Sequence, residues 1–137
     1  LLVAFCKDGA IAIEAYVYAK AKIYAVDESR PNFTAARKNA AIAHADIDVQ
    51  RYSLDDLDLK YGKDYFDRVI MHITHKDEDK INDIYYQLQY ILKPKGTVLL
   101  IGREQWNVSF PDNFKLLEMK LIQKGESIHK TWLLEKQ

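Results

Sequence analysis

The sequence predicts an α/β domain with a mostly parallel sheet of seven strands, helices on both faces and an antiparallel hairpin at its C-terminal end. Two observations support this prediction. Short apolar segments alternate with segments of helical periodicity over most of the chain, which is typical of parallel sheets joined by crossover helices. The last part instead has two strand-like segments in succession, joined at Lys124-Gly125-Glu126, which indicates a hairpin.

The first half of the chain alternates strands and helices. The first predicted strand is wholly apolar, as expected at the centre of a parallel sheet. The first helix is rich in Ala and apolar nearly all round, which fits a helix packed between layers. Ser29 and Pro31 suit the cap and the first turn of the second helix. The predicted strands are Leu1–Phe5, Lys22–Val26 and Asp48–Ser53, and the helices cover Gly9–Lys20 and Ser29–Ala43.

The second half begins with an acidic connection over Leu54–Gly62. A helical stripe of apolar residues then runs from Ile81 to Leu92, and Lys93-Pro94-Lys95-Gly96 is expected to end that helix because proline cannot continue it. The predicted strands of this half are Tyr65–Ile73, Thr97–Ile101, Phe114–Gln123 and Ile128–Leu134.

Composition bounds the class of protein. At 137 residues the chain is expected to form one domain, and its 48% hydrophobic content excludes a disordered chain. Its formal net charge is +0, so it lacks the basic footprint of a dedicated nucleic-acid binder. If RNA is a partner, another part of the protein is expected to help hold it.

The single Cys6 cannot form an internal disulfide, and no apolar run reaches membrane-spanning length. We therefore expect a cytoplasmic protein with no membrane contact. Residues 1–137 begin with an apolar run and no initiator Met, which we interpret as a domain taken from the C-terminal part of a longer protein.

Candidate site residues follow from the predicted sheet. In parallel α/β sheets, ligands bind beyond the carboxyl ends of the strands, at the point where the strand order reverses. This rule brings the Cys6–Gly9 turn, Asp27 and the Ser53 region to one crevice. Asp27 follows the second strand roughly where a ribose-binding carboxylate belongs, although a solvated Asp at a strand end is the alternative.

Three segments, in this order, carry a resemblance to a known family. They are Phe5-Cys6-x-x-Gly9-x-Ile11-x-Ile13-Glu14-Ala15, Tyr24-Ala25-Val26-Asp27-x-Ser29, and Phe66-Asp67-x-Val69-Ile70 with Leu92-Lys93-Pro94-Lys95-Gly96-Thr97. They resemble the class I methyltransferases that use S-adenosylmethionine, which have a Rossmann-like fold. The Phe-Cys turn and Ile-x-Ile-Glu-Ala are most similar to tRNA guanine-N2 methylases, whose catalytic domain follows an RNA-binding THUMP module. The resemblance implies tRNA or another RNA as partner, held partly by such an N-terminal module.

The resemblance also implies a set of cofactor-binding residues. Asp27 would accept hydrogen bonds from the ribose hydroxyls, and Gly9 would let the backbone approach the cofactor, unless it is an ordinary helix-opening glycine. Lys7 stands where relatives have another glycine, and Val3 where they often have an acidic residue, and both argue against tight binding. The full set is Phe5, Cys6, Asp8, Gly9, Asp27, Glu28, Ser53 and Met71.

The largest departure from the family follows the fourth strand. Amino-group methylases usually have Asn/Asp-Pro-Pro-Tyr/Phe there, whereas this chain has Met71-His72-Ile73-Thr74-His75. His72 or His75 could stack on a base or act as a catalytic base, and the alternative is that both are ordinary loop residues. The His72-x-x-His75 spacing leaves a strand and has no further cluster to complete a ligand set, so no metal is expected.

Three functional hypotheses remain open from the sequence. The first is an S-adenosylmethionine-dependent methyltransferase acting on RNA. The second is a non-catalytic domain of the same fold that serves as a structural, RNA-binding or protein-binding module. The third is a nicotinamide-dependent oxidoreductase, against which the lack of Gly-x-Gly-x-x-Gly argues.

Overall fold

The computed structural model describes residues 1–19 and 21–137. Within them, seven strands and four α-helices follow one another largely as the sequence predicts. The strands are β1 (Leu2–Ala4), β2 (Ile23–Val26), β3 (Ile47–Gln50), β4 (Phe66–His72), β5 (Leu92–Arg103), β6 (Phe114–Lys124) and β7 (Ser127–Lys136). The helices are α1 (Ala10–Ala19), α2 (Arg30–Ile42), α3 (Leu57–Lys60) and α4 (Ile81–Ile91), with 3₁₀ turns at Leu54–Asp56 and Glu78–Lys80.

The strands form one sheet in the order β3-β2-β1-β4-β5-β7-β6. Strands β1 to β5 pair in parallel, and β7 is antiparallel to both β5 and β6. The predicted mostly parallel sheet with a C-terminal hairpin is therefore confirmed. Strand order reverses between β1 and β4, so the carboxyl ends of these two strands border the crevice where this class of sheet binds ligands.

Side chains of the strands alternate between two cores on opposite faces of the sheet. In β1, Val3 joins the smaller core with Ala12 of α1 and Ala36 of α2. Leu2 and Ala4 join the larger core, which includes residues of α3 and α4. Because of this period-2 alternation, even a short apolar strand contributes to both cores, since each face of the sheet is covered by its own pair of helices.

The start of α2 follows from local chemistry. Ser29 is the N-cap and its Oγ accepts a hydrogen bond from Asn32 N at 3.4 Å, while Pro31 occupies the first turn. A proline is tolerated there because its missing N–H has no helical partner in any case. This predicted helix start is confirmed.

Two predicted connections are wrong in detail. The acidic segment Leu54–Gly62 contains a 3₁₀ turn and the one-turn α3, because Leu57 inserts fully into the larger core. Gln87 of α4 fixes this segment by accepting from Asp58 N at 2.9 Å and donating to the Asp55 carbonyl at 3.0 Å. Strand β5 begins directly after α4 at Leu92, which pairs with Phe66, so Lys93–Gly96 belongs to the strand.

Candidate cofactor and acceptor site

The turn after β1 has an unusual backbone. Phe5 and Lys7 both have a φ of 53°, and Gly9 has a φ of 90°. The left-handed region is strained for residues with a Cβ, so Lys7 occupies a conformation that glycine adopts without cost. The turn therefore keeps the shape of a glycine-rich loop although a lysine stands in it. The Lys7 ammonium lies 5.5 Å from the centre of the Phe5 ring.

The Asp27 carboxylate is the best-anchored group at this edge of the sheet. It is 4% exposed and accepts hydrogen bonds from Lys7 N at 3.0 Å, Ser29 N at 2.9 Å and Asn32 Nδ2 at 3.3 Å. These contacts satisfy a buried charge with three donors, and they tie the ends of β1 and β2 to the start of α2. A carboxylate has about four acceptor positions, so one is left for a further donor.

Gly9 has a packing role as well as a conformational one. A Cβ at this position would lie 3.2 Å from Ala36 Cα and 3.3 Å from Ala36 Cβ of α2. The missing side chain therefore lets α2 approach the start of α1. Asp8, which is exposed, accepts from Ala10 N at 3.1 Å and its carbonyl accepts from Asn39 Nδ2 at 2.9 Å, so it joins the two helices.

The space beside Asp27 is nearly filled by side chains. A cavity of only about 10 Å³ lies there, between the turn after β1 and the segment after β3. Ligand pockets usually measure roughly 300–1,000 Å³, so a nucleoside needs side chains here to move. The cavity is lined by Ala4, Phe5, Val26, Asp27, Glu28, Tyr52, Leu54 and Leu57.

A larger polar groove of about 300 Å³ opens next to this cavity, lined by Glu28, Arg51, Tyr52 and Ser53. Glu28 is exposed, and its carbonyl accepts from Arg51 Nε at 2.9 Å. The half-buried Ser53 caps the following 3₁₀ turn, because its Oγ accepts from Asp55 N at 3.3 Å. Glu28 and Ser53 therefore line one groove.

Two of the predicted cofactor residues have side chains inside the protein rather than in the crevice. Met71 is fully buried in the larger core, and Cys6 is buried in the smaller one. Burial, together with the nearby Asp27 carboxylate, raises the pKa of the Cys6 thiol to about 12. The thiol is thus neutral at physiological pH. The backbone of Cys6 holds the turn, since its N–H donates to the Val26 carbonyl at 3.0 Å and its carbonyl accepts from Gly9 N at 2.8 Å.

The carboxyl end of β4 carries the histidines. The half-buried His72 meets His129 of β7 edge to face, with ring centres 5.8 Å apart. His75 is exposed. Between them, Thr74 closes a turn by donating from its N and its Oγ1 to Asp77 Oδ2, at 3.3 and 2.7 Å. The structure therefore places His72 near a second imidazole and leaves His75 in solvent.

The loop after β4 is held to β5 by one ion pair. Arg103 donates from Nε to Glu78 Oε1 at 2.6 Å and from a terminal nitrogen to Oε2 at 3.0 Å. This two-bond pairing lowers the pKa of the Glu78 carboxyl, chiefly through the hydrogen bond from Arg103. The pair links the loop after β4 to the end of β5.

Across the described residues, no group of three His, Cys, Asp or Glu side chains is arranged to hold a metal ion. The helices there include none long and apolar enough to cross a membrane.

Sequence reasoning missed three residues of this region. Asn32 reaches Asp27 from the first turn of α2, and its signal was a polar residue three positions after the Ser29 cap. Arg51 reaches the Glu28 carbonyl across β2 and β3, and His129 reaches His72 from β7. The last two contacts depend on strand pairing and leave no local signal.

A parallel sheet with a buried acid after β2 and a tight turn after β1 defines the nucleotide-binding class of α/β domains. A family model described as a methyltransferase domain matches residues 2–96. The chain belongs to this methyltransferase family, and its cofactor is S-adenosylmethionine. Family membership also decides against the nicotinamide-dependent hypothesis.

Solved structures share this fold at low sequence identity. TrmN from Thermus thermophilus is 22% identical, with a TM-score of 0.83 over 99% of this chain, which spans 43% of the TrmN chain. A SAM dependent methyltransferase from Aquifex aeolicus is 11% identical, with a TM-score of 0.72 over 97% of this chain and 80% of its own. An rRNA methylase from Streptococcus thermophilus is 13% identical, with a TM-score of 0.73 over 98% of this chain and 85% of its own. No curated protein sequence matches the chain.

The polar groups at the strand ends are of the kind that can bind S-adenosylmethionine. Asp27 keeps an acceptor position for a ribose hydroxyl, and the groove lined by Glu28 and Ser53 offers polar groups for an adenine edge. The space fits only if the half-buried Phe5, Tyr52 and Leu54 move apart, since the cavity beside Asp27 is so small.

Proposed function

We propose that this domain binds S-adenosylmethionine and methylates RNA, with a base amino group as acceptor. The observation that carries the proposal is the buried Asp27 carboxylate, held by three donors beside the point where the strand order reverses. A charge is costly to bury, and anchoring one at a ligand-binding edge favours a role in binding over a role in stability alone.

The chain's own residues would position the cofactor. Asp27 accepts from the ribose, the turn from Phe5 to Gly9 brings the backbone close, and Glu28 and Ser53 border the adenine. When bound, S-adenosylmethionine supplies a methyl group on a sulfonium together with its own leaving group, so the protein mainly orients the acceptor and excludes water.

On the acceptor side, His72 is the residue we assign to the incoming base. It lies at the carboxyl end of β4, next to the crevice, and packs against His129. An imidazole there can stack on a flipped base or accept the proton that a methylated amine releases. The exposed His75 is assigned a contact with the same base or with its flanking nucleotides.

RNA as the substrate is supported by a structural neighbour described as an rRNA methylase. The neutral charge of the chain gives it little sequence-independent attraction to phosphates. We therefore propose that an N-terminal RNA-binding module supplies most of the RNA affinity. This fits with the chain spanning only 43% of the TrmN chain.

A second candidate is a non-catalytic domain of the same fold. Three observations favour it: the strained Lys7 in the turn, the cavity of about 10 Å³, and a β4 end without the proline motif that binds an amine. Such a domain would keep Asp27 because its three hydrogen bonds hold β1, β2 and α2 together.

Calorimetric titration with S-adenosylmethionine, its demethylated product and NAD separates the two candidates. We expect micromolar binding of the first two ligands and none of NAD. The substitution Asp27→Asn should abolish binding, whereas Asp46→Asn, an exposed residue before β3, should leave it unchanged. Thermal unfolding must first show that both variants are folded.

Activity is then measured as transfer of labelled methyl groups to bulk tRNA, with wild type and His72→Ala compared. Incorporation that depends on His72 supports the catalytic assignment. Binding without incorporation, with tRNA and rRNA both offered, supports the non-catalytic module. No binding of either ligand at millimolar concentration refutes the enzyme proposal.

A further inference from the structure

Strand β6 forms one edge of the sheet, and its outer backbone groups face no other strand of the described chain. It is 11 residues long, which is unusual for an edge. An edge strand offers a row of unpaired N–H and C=O groups, and proteins usually protect such edges with short strands, prolines or inward-pointing charges. This edge has no proline, and the features that protect it are charged side chains and the register shift between Leu116 and Glu118.

The middle of β6 exposes large apolar side chains. Leu117, Met119 and Leu121 are 45%, 54% and 62% exposed. Met119 pairs in register with the buried Trp132 of β7, so the exposed surface continues directly from the larger core. Contiguous apolar surface of this kind on an otherwise polar protein marks an interaction site.

The sequence of this segment is complementary to itself. When two copies of an antiparallel strand pair about a two-fold axis, residues at equal distances on either side of the axis become neighbours. With the axis at Met119, Glu118 faces Lys120 of the second copy and Leu117 faces Leu121. The register shift between Leu116 and Glu118 interrupts the regular strand, so the matched segment ends at Leu117.

We propose that two copies of this chain associate through antiparallel pairing of their β6 strands, centred on Met119, to form one continuous sheet. The axis lies perpendicular to the sheet, so each face continues as the same face of the second copy. The dimer brings the apolar side chains of Leu117, Met119 and Leu121 of the two copies side by side on one face of the sheet and satisfies the edge backbone groups of the paired segment.

The charges explain why this register is preferred over others. Within one chain, Lys120 Nζ lies 3.3 Å from Glu118 Oε1, and both side chains are more than half exposed. Residues i and i+2 of a strand lie on one face, so pairing about Met119 brings two Glu and two Lys into an alternating group of four. Each charge then has an opposite charge both along its own strand and across the axis, whereas a slip by two residues loses the cross-strand contacts.

Sedimentation velocity over a range from micromolar to millimolar concentration tests this dimer on the purified chain. We expect a reversible monomer–dimer equilibrium for wild type. Lys120→Glu and Glu118→Lys should each raise the dimer dissociation constant about tenfold or more, because two like-charge pairs replace two attractive ones. The double variant Glu118→Lys/Lys120→Glu should restore the wild-type value.

Lys38→Glu is the matched control, since it makes the same charge change at an exposed residue of α2, away from the hairpin. This variant should dimerise like wild type. Circular dichroism of every variant confirms that it is folded. A wild-type chain that stays monomeric at all concentrations overturns the proposal. So do single variants that dimerise as wild type does, or a double variant that stays as weak as the singles.

Discussion

The carboxyl ends of β2 and β4 border the same crevice but are built in opposite ways. At the end of β2, Asp27 is buried and bound by donors from the turn after β1 and from both Ser29 and Asn32. At the end of β4, the half-buried His72 packs against the His129 ring, and the exposed His75 lies in solvent. The end of β2 is thus closed by hydrogen bonds to a buried carboxylate, whereas the end of β4 presents an exposed imidazole.

This difference indicates which half of the site resists sequence change. Asp27 takes part in the packing of three elements, so its replacement would disturb the fold as well as binding. After β4, Ile73 is buried in the larger core and Glu78 pairs with Arg103, whereas the exposed His75 can change without loss of the scaffold.

The largest effect is expected from Asp27→Ala. Loss of a buried carboxylate leaves the Lys7 and Ser29 N–H groups without their acceptor, which should lower the free energy of unfolding by about 3 kcal/mol. Urea unfolding of the variant measures this loss. The exposed control Asp46→Ala should stay within roughly 0.5 kcal/mol of wild type. A loss equally small in Asp27→Ala would mean that the hydrogen bonds to Asp27 do not hold the ends of β1 and β2 together.

Gly9→Ala should have the next largest effect on stability, because the alanine is both sterically crowded and conformationally strained. The added Cβ would lie 3.2 Å from Ala36 Cα, and the φ of 90° is strained for any L residue. We expect a loss of about 2 kcal/mol in the free energy of unfolding. Gly125→Ala is the matched control, since its φ is 62° and nothing lies within 4 Å of an added Cβ.

In Gly125→Ala, the free energy of unfolding should fall by only about 1 kcal/mol, the cost of placing an alanine at a positive φ. Equal losses in the two variants would contradict the close packing of α2 on the turn.

Lys7→Gly should stabilise the protein. Its φ of 53° costs a non-glycine residue about 1–2 kcal/mol, and the extra freedom of glycine in the unfolded chain offsets about half of that. We expect a net gain of about 0.5 kcal/mol and tighter binding of S-adenosylmethionine, measured by urea unfolding and calorimetry. His44→Gly, with a φ of 54° after α2, should give the same gain in stability without a change in binding. Unchanged affinity in Lys7→Gly would show that Lys7 does not oppose the cofactor.

The effect that is smallest at neutral pH is the pH dependence of the free energy of unfolding, which arises only in alkaline solution. The pKa of Cys6 is about 12 in the folded chain against 9.0 as its ordinary value, so above pH 9 the unfolded chain binds fewer protons than the folded one. Stability contributed by the neutral thiol is therefore fully present below pH 9 and is lost as the pH rises towards 12.

Cys6→Ala should make the decline in unfolding free energy between pH 9 and 10 shallower, by up to about 1 kcal/mol per pH unit. The comparison uses slopes, because the packing cost of the substitution is the same at each pH. Identical slopes in the two proteins would mean that the thiol is accessible to water in the folded chain.

Much of the fold was predictable because its signals are local. The Ser29 cap, Pro31 and the apolar stripe of α4 act within a few residues of themselves. The position of Asp27 at a strand end follows from the length of β2 alone. The short α3 was not predictable, since it depends on burial of Leu57 and on Gln87, which is distant in sequence, accepting from Asp58 N and donating to the Asp55 carbonyl.

In the candidate site, the contact between the turn after β1 and Asp27 was predictable, whereas the contact between His72 and His129 was not. The turn and Asp27 follow the order of the first two strands, so sequence reasoning could bring them together. His129 comes next to His72 only because β7 lies between β5 and β6 in the sheet. The burial of Cys6 and Met71 was also missed, since a residue at a strand end can face either the crevice or a core.

The sequence by itself determined the order of strands and helices, the parallel sheet with its closing hairpin, and the acid after the second strand. These features depend on alternation and helix capping, which involve residues close together in the sequence. Only the tertiary structure decided that Ala36 leaves no room for a side chain at position 9, that the space beside Asp27 is nearly filled, and that β6 is an exposed edge. These properties depend on which elements pack side by side, and packing is set by the whole sheet rather than by any one segment of it.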